Sequence, residues 1–130
     1  MDIDKNMIGW VDIPVKDMDR AVRFYEQVFD VEMTREPVGS LGEMAMFPSV
    51  QEGVGASGAL VVHGERYRPS TEGVLMYFTP PSGDLANELG RVEAAGGKVL
   101  QEKTLLTEGI GYIGMFLDTE GNRLALHSRQ

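Results

Sequence analysis

Three side chains in this sequence combine acid–base or metal chemistry with places on predicted strands that could face a cavity: Asp12 and the chain's only two histidines, His63 and His127. Imidazole titrates near neutral pH, and a carboxylate that orients it raises its basicity, so an Asp–His pair suits a general base. Asp12 follows the single tryptophan, Trp10, by two residues. Residues two apart on a strand share a face, so Trp10, Asp12 and Pro14 form one side and Val11, Ile13 and Val15 the other. The second set is apolar and suits the underside of a helix. Asp12 then stands partly buried on the opposite face, where a carboxylate must be paired, hydrogen-bonded or protonated. The plainer alternative leaves each histidine exposed at a strand end and Asp12 accepting a backbone N–H. No cysteine is present, which removes disulfides, thiolate nucleophiles and cysteine metal sites.

The elements that position these groups follow from periodicity. Residues 7–15 are rich in β-branched and aromatic types and predict a strand. Asp17 then serves as an N-cap, and Ala21, Val22, Phe24, Tyr25, Val28 and Phe29 recur at helical spacing up to Asp30. Strands are predicted over 31–38, 42–49 and 59–63, with a turn at Gly39-Ser40 and a glycine-rich loop over 50–58. After a polar connector, 65–72, the pattern begins again. A strand over 73–80 leads to a helix over 84–95, with Leu85, Leu89 and Val92 on one face and Gly96-Gly97 as its stop. Strands over 98–106, 111–118 and 123–128 complete the chain. An offset of 64 places Trp10 on Val74, Val61 on Ala125 and His63 on His127. The expected fold is therefore α+β: one domain over 1–130, built from two paired βαβββ modules (about 7–64 and 73–128).

Composition narrows the function. A net charge of −8 argues against a nucleic-acid partner, which relies on clustered Lys and Arg. No apolar run approaches the roughly 20 residues of a membrane helix, and the start MDIDKN lacks a signal peptide's basic and apolar regions. The expectation is a cytoplasmic protein without membrane contact. The loop over 50–58 lacks the Lys and Ser/Thr placement of a phosphate-binding loop and precedes a strand, so it is read as a covering loop.

The strings IPVKDMDRAVRFYEQVFDVEM, EAAGGKVL and FLDTEGNRLALHS resemble the vicinal oxygen chelate superfamily, which includes glyoxalase I, extradiol dioxygenases and bleomycin-binding proteins. The common closing turn there is Phe-x-Asp-Pro-x-Gly-Asn, from which this chain departs at Thr119. The resemblance covers nearly the whole chain. It implies a cupped mixed sheet with helices outside, a cavity within and a homodimer. Enzymes of the family hold a divalent metal with His, Glu or Gln from four strands, leaving positions where substrate oxygens bind. By resemblance those places fall near Trp10, Val61, Val74 and Ala125, none of which can bind a metal. If the first and fourth strands adjoin, as they do in the family, Asp12 could lie near His63.

Three functions follow. In the first, a cavity walled by Trp10, Val61, Val74, Met76, Phe78, Tyr112 and Ala125 binds a small apolar or aromatic molecule, with no metal and no other cofactor. In the second, Asp12 with His63 or His127 performs acid–base catalysis of a glyoxalase-like lyase or isomerase type, with a displaced divalent metal as a variant. In the third, the chain only dimerises, which a cavity below roughly 300 Å³ would favour. Glu43 and Tyr77 are weaker candidates, Tyr77 being read as packed under the second helix. Met44, Met46, Met76 and Met115 would soften an apolar pocket.

Overall fold

The structure, a computed structural model, describes Asp2 and residues 4–130. It begins with β1 (Trp10–Pro14) and α1 (Met18–Phe29), followed by β2 (Thr34–Pro37), β3 (Glu43–Met46) and β4 (Ser57–Val62). The second module contains β5 (Tyr77–Phe78), α2 (Leu85–Leu89), β6 (Lys98–Thr107), β7 (Gly111–Leu117) and β8 (Arg123–Ser128). Each module forms its own open four-stranded mixed sheet, ordered β1-β4-β3-β2 and β5-β8-β7-β6. β1 runs parallel to β4 and β5 parallel to β8, and the remaining pairs are antiparallel. Helices cover one face of each sheet and leave the other open.

α1 forms where the spacing of its apolar residues requires it. Asp17 caps its first turn by accepting from Arg20 N at 3.1 Å, and Asp30 ends it in the left-handed conformation. Its apolar side serves both sheets: Tyr25 is completely buried, and its ring lies 5.6 Å from Phe47 and 5.9 Å from Phe78. Phe24 packs against Phe116 of β7 at 6.1 Å. Gly97 permits this approach, because a Cβ there would run into the Leu117 carbonyl and the Phe24 ring.

The second half departs from expectation at two elements. The helix predicted over 84–95 is α-helical only to Leu89 and continues as turns. Gly90 is a poor helix former, and beyond it the bonds shift to three-residue spacing, from Arg91 N to Glu88 O and Val92 N to Leu89 O. Leu85, Leu89 and Val92 are nevertheless buried together. The strand predicted over 73–80 forms a ladder only at Tyr77–Phe78. Ahead of it, the Ser70 and Gly73 carbonyls accept from the backbone N–H and the Nη2 of Arg123.

The turn Asp118–Asn122 fastens the modules together. Glu120, 2% exposed, accepts from Lys16 N and Asp17 N at 2.8 Å each, and from Arg20 Nε at 2.7 Å and Nη2 at 2.9 Å. Thr119 Oγ1 donates to it as well, at 2.8 Å. Burial alone would raise the Glu120 pKa, but the bonds from Arg20, Asp17, Thr119 and Lys16 outweigh it and hold the carboxyl at about 2. Asp118 accepts from Tyr25 Oη at 2.7 Å and from Asn122, whose Nδ2 also donates to Pro14 O. Burial and the Asp118 charge push the Tyr25 hydroxyl well above its usual range.

A carboxyl depressed from 4.5 to about 2 stabilises the fold fully above its unfolded value and loses that contribution as pH falls through about 2. Glu120→Gln is expected to lower stability at pH 7 by about 2–3 kcal/mol in urea unfolding. The variant's stability should also fall less than the wild type's between pH 4.5 and pH 2.

Candidate functional site

The open face of the first sheet carries the alternate residues of its strands. Trp10 stands opposite Ser57, Asp12 opposite Ala59 and Pro14 opposite Val61, with Met44 and Met46 on the next strand. Val11 and Ile13 turn to the helix side and pack against the core, as the alternation requires. Trp10 is 47% exposed, and its indole N–H donates to Asp12 Oδ1 at 2.8 Å. Ser57 Oγ and His63 Nδ1 are buried without a hydrogen-bond partner. Ser57 shares the Trp10 face, and His63 lies beside Tyr67 with ring centroids 5.6 Å apart.

The structure does not bring Asp12 and His63 together. β1 and β4 do adjoin, but Asp12 pairs with Ala59, four residues before His63. At the strand rise that offset is about 13 Å. His127 belongs to the second sheet, opposite Ile113, where its Nε2 meets the Ile110 carbonyl. A carbonyl only accepts, so that nitrogen carries the proton.

The proposed wall residues divide between faces. Val61 and Ala125 lie on the open faces and are buried, whereas Val74 is 97% exposed. Met76 and Phe78 pack against the core, Phe78 lying 4.6 Å from Phe29. Tyr112 also packs against the core, and its ring holds Lys103 Nζ at 4.5 Å from the centroid. Tyr77, expected under the second helix, is 45% exposed and stands beside Ala125 on the open face. The cause is a register difference of one residue. Val61 and Ala125 are 64 apart, but their neighbours Pro14 and Tyr77 are 63 apart. The counterpart of Trp10 is therefore Gly73, not Val74. A single offset for both strands hid this slip, which the polar-tipped Tyr77 between the apolar Met76 and Phe78 could have signalled. Glu43 is held by Arg35 through two bonds of 3.0 Å.

The described residues form hollows at β1 and at the segment before it. A cleft of about 210 Å³ runs along the seam between β1 and the segment before β5, bounded among others by Asp12, Met76 and Arg123. A broader, open hollow of about 590 Å³ lies between the N-terminal segment (Asp4, Lys5, Ile8) and the glycine-rich loop (Gly53, Val54, Gly55). That loop thus sits beside the N-terminal segment.

A family model described as Glyoxalase/Bleomycin resistance protein/Dioxygenase superfamily matches residues 7–126, and the chain belongs to this superfamily. Solved structures share its fold. A glyoxalase/bleomycin resistance protein from Albidiferax ferrireducens has a TM-score of 0.71 at 15% identity, covering 96% of this chain and 100% of that one. An antibiotic binding protein from Streptomyces sp. CB03234 has a TM-score of 0.66 at 19% identity, covering 99% and 100%. Glyoxalase I from Zea mays has a TM-score of 0.66 at 19% identity, covering 92% of this chain. The match spans only 45% of that longer chain. No curated protein matches the chain.

At the places that the resemblance assigns to a metal, the side chains present do not fit one. Trp10, Val61 and Ala125 offer an indole N–H and hydrocarbon, and the corrected fourth place, Gly73, has no side chain. Among the described residues no group of three or more Asp, Glu or His gathers to hold an ion. No helix among them is long and apolar enough to cross a membrane.

Asp12→Asn is expected to change the emission of Trp10, the sole tryptophan, because the indole N–H then meets a neutral acceptor. Unfolding stability should stay within about 0.5 kcal/mol, since the pair is exposed. Steady-state fluorescence and urea unfolding of the variant check both.

Proposed function

We propose that the protein binds a small aromatic or apolar molecule on the open face of its first sheet, with Trp10 as the stacking wall and no metal at the family's usual positions. The observation that carries this reading is the exposed indole on the same face as Ser57, whose hydroxyl is buried without a partner. A large ring left open beside small residues suits a flat ligand, and an unsatisfied buried hydroxyl costs about 1–3 kcal/mol that a ligand bond would offset. The antibiotic binding protein from Streptomyces shares this fold, which supports the reading by analogy only. The cleft, at about 210 Å³, is small for a drug-sized ligand, and the larger hollow is open. The proposed site is thus a face that a second copy of the chain closes, in a homodimer with the site between protomers.

The acid–base reading is less well supported, because Asp12 is engaged by Trp10 and offset from His63 along the strands. Titration of the protein with naphthalene-type probes should change Trp10 emission at micromolar concentrations. Trp10→Ala should weaken binding at least tenfold, followed by probe fluorescence or calorimetry, and light scattering should give a dimer mass. A dimer with no response to any aromatic probe would overturn binding and leave a purely dimerising module.

A further inference from the structure

The seam cleft carries charges of both signs that do not neutralise one another. Asp12, Arg68, Glu72 and Arg123 all line its roughly 210 Å³. Ion pairs of the described residues form elsewhere, at Arg20, Arg35, Arg91 and Lys103, and none joins these four side chains. Two of the four are held in place by neutral partners: Arg123 by the Gly73 carbonyl at 3.0 Å, and Asp12 by the Trp10 indole at 2.8 Å. Arg123 Nε is buried with no hydrogen-bond partner. A guanidinium N–H removed from water without an acceptor is costly, and a carboxylate is the acceptor whose geometry it matches. Val74 and Met76 supply an apolar wall beside these charges.

We propose that this cleft is a binding site for a small zwitterion of the α-amino-acid class. The ligand carboxylate meets Arg123 and Arg68, its ammonium meets Asp12 and Glu72, and an unbranched apolar side chain lies against Val74 and Met76. The volume falls below the range for drug-sized ligands and is of the order of a single amino acid. The inference does not rest on aromatic binding at Trp10, because the indole does not line the cleft. The readout below is also independent of tryptophan emission.

The test is an amide NMR titration of the whole protein with L-methionine, L-methionine methyl ester and N-acetyl-L-methionine. L-methionine is expected to shift the amides of Asp12, Glu72, Met76 and Arg123 saturably, with Kd at or below the millimolar range. The ester, which lacks the carboxylate, and the N-acetyl compound, which lacks the ammonium, should each bind at least tenfold more weakly. Arg68→Gln changes an exposed side chain with no ion pair, so it should fold as the wild type does and weaken L-methionine at least threefold. Arg123→Gln should weaken it at least tenfold, and its spectrum reports directly whether the fold is kept. Equal affinity for all three compounds, no saturable shift with L-methionine, or unchanged binding by Arg68→Gln would each overturn the assignment.

Discussion

Glu120 sits where the closing turn of the second module meets the start of α1, and much of the architecture is organised around keeping that carboxylate charged inside the protein. A buried carboxylate is tolerated only when its lone pairs are filled, and here two backbone amides, a guanidinium and a hydroxyl fill them. The amides belong to the residues that lead into α1, so the closing turn of the second module sets where the first module's helix begins. Asp118 and Asn122 extend the contact to Tyr25 and to the β1 carbonyl of Pro14. The strand carrying Trp10 and Asp12 and the helix packed on its reverse side are thereby tied to a turn more than a hundred residues later.

How much of this was legible depends on whether the signal was local. The first module was readable because α1 repeats its apolar residues at one period and β1 alternates, so both faces of β1 could be assigned from five residues. The Trp10–Asp12 bond joins residues that the alternation had already placed together. α2 was overextended because Leu85, Leu89 and Val92 keep helical spacing across Gly90, and burial of the three does not require a regular helix between them. β5 was misregistered because the repeat was measured on β4 and β8 and then applied to strands one residue out of step. The role of Glu120 was not legible. Within DTEGN it reads as a solvent-facing turn residue, and its partners at residues 16, 17 and 20 are defined only by the fold.

The chain belongs to the superfamily and shares its scaffold. At the places that the resemblance assigns to metal ligands, Val61, Ala125 and Trp10 present hydrocarbon and one ring. The two histidines lie on different sheets, where one is shielded beside Tyr67 and the other braces the β6–β7 hairpin. Their equivalence by sequence offset therefore has no counterpart in a shared site.

The rings of Tyr25 and Phe24 lean on both sheets at once, with Phe78 touching Tyr25, Phe29, Phe47 and Phe116. A core shared in this way leaves no hinge between the halves. Separating them even slightly would part the stacked and edge-on rings together with the Glu120 and Asp118 bonds, so the shared core opposes relative motion of the modules. Any adjustment to an arriving molecule then has to come from the segments outside that core: the loop between β3 and β4 and the connector between β4 and β5.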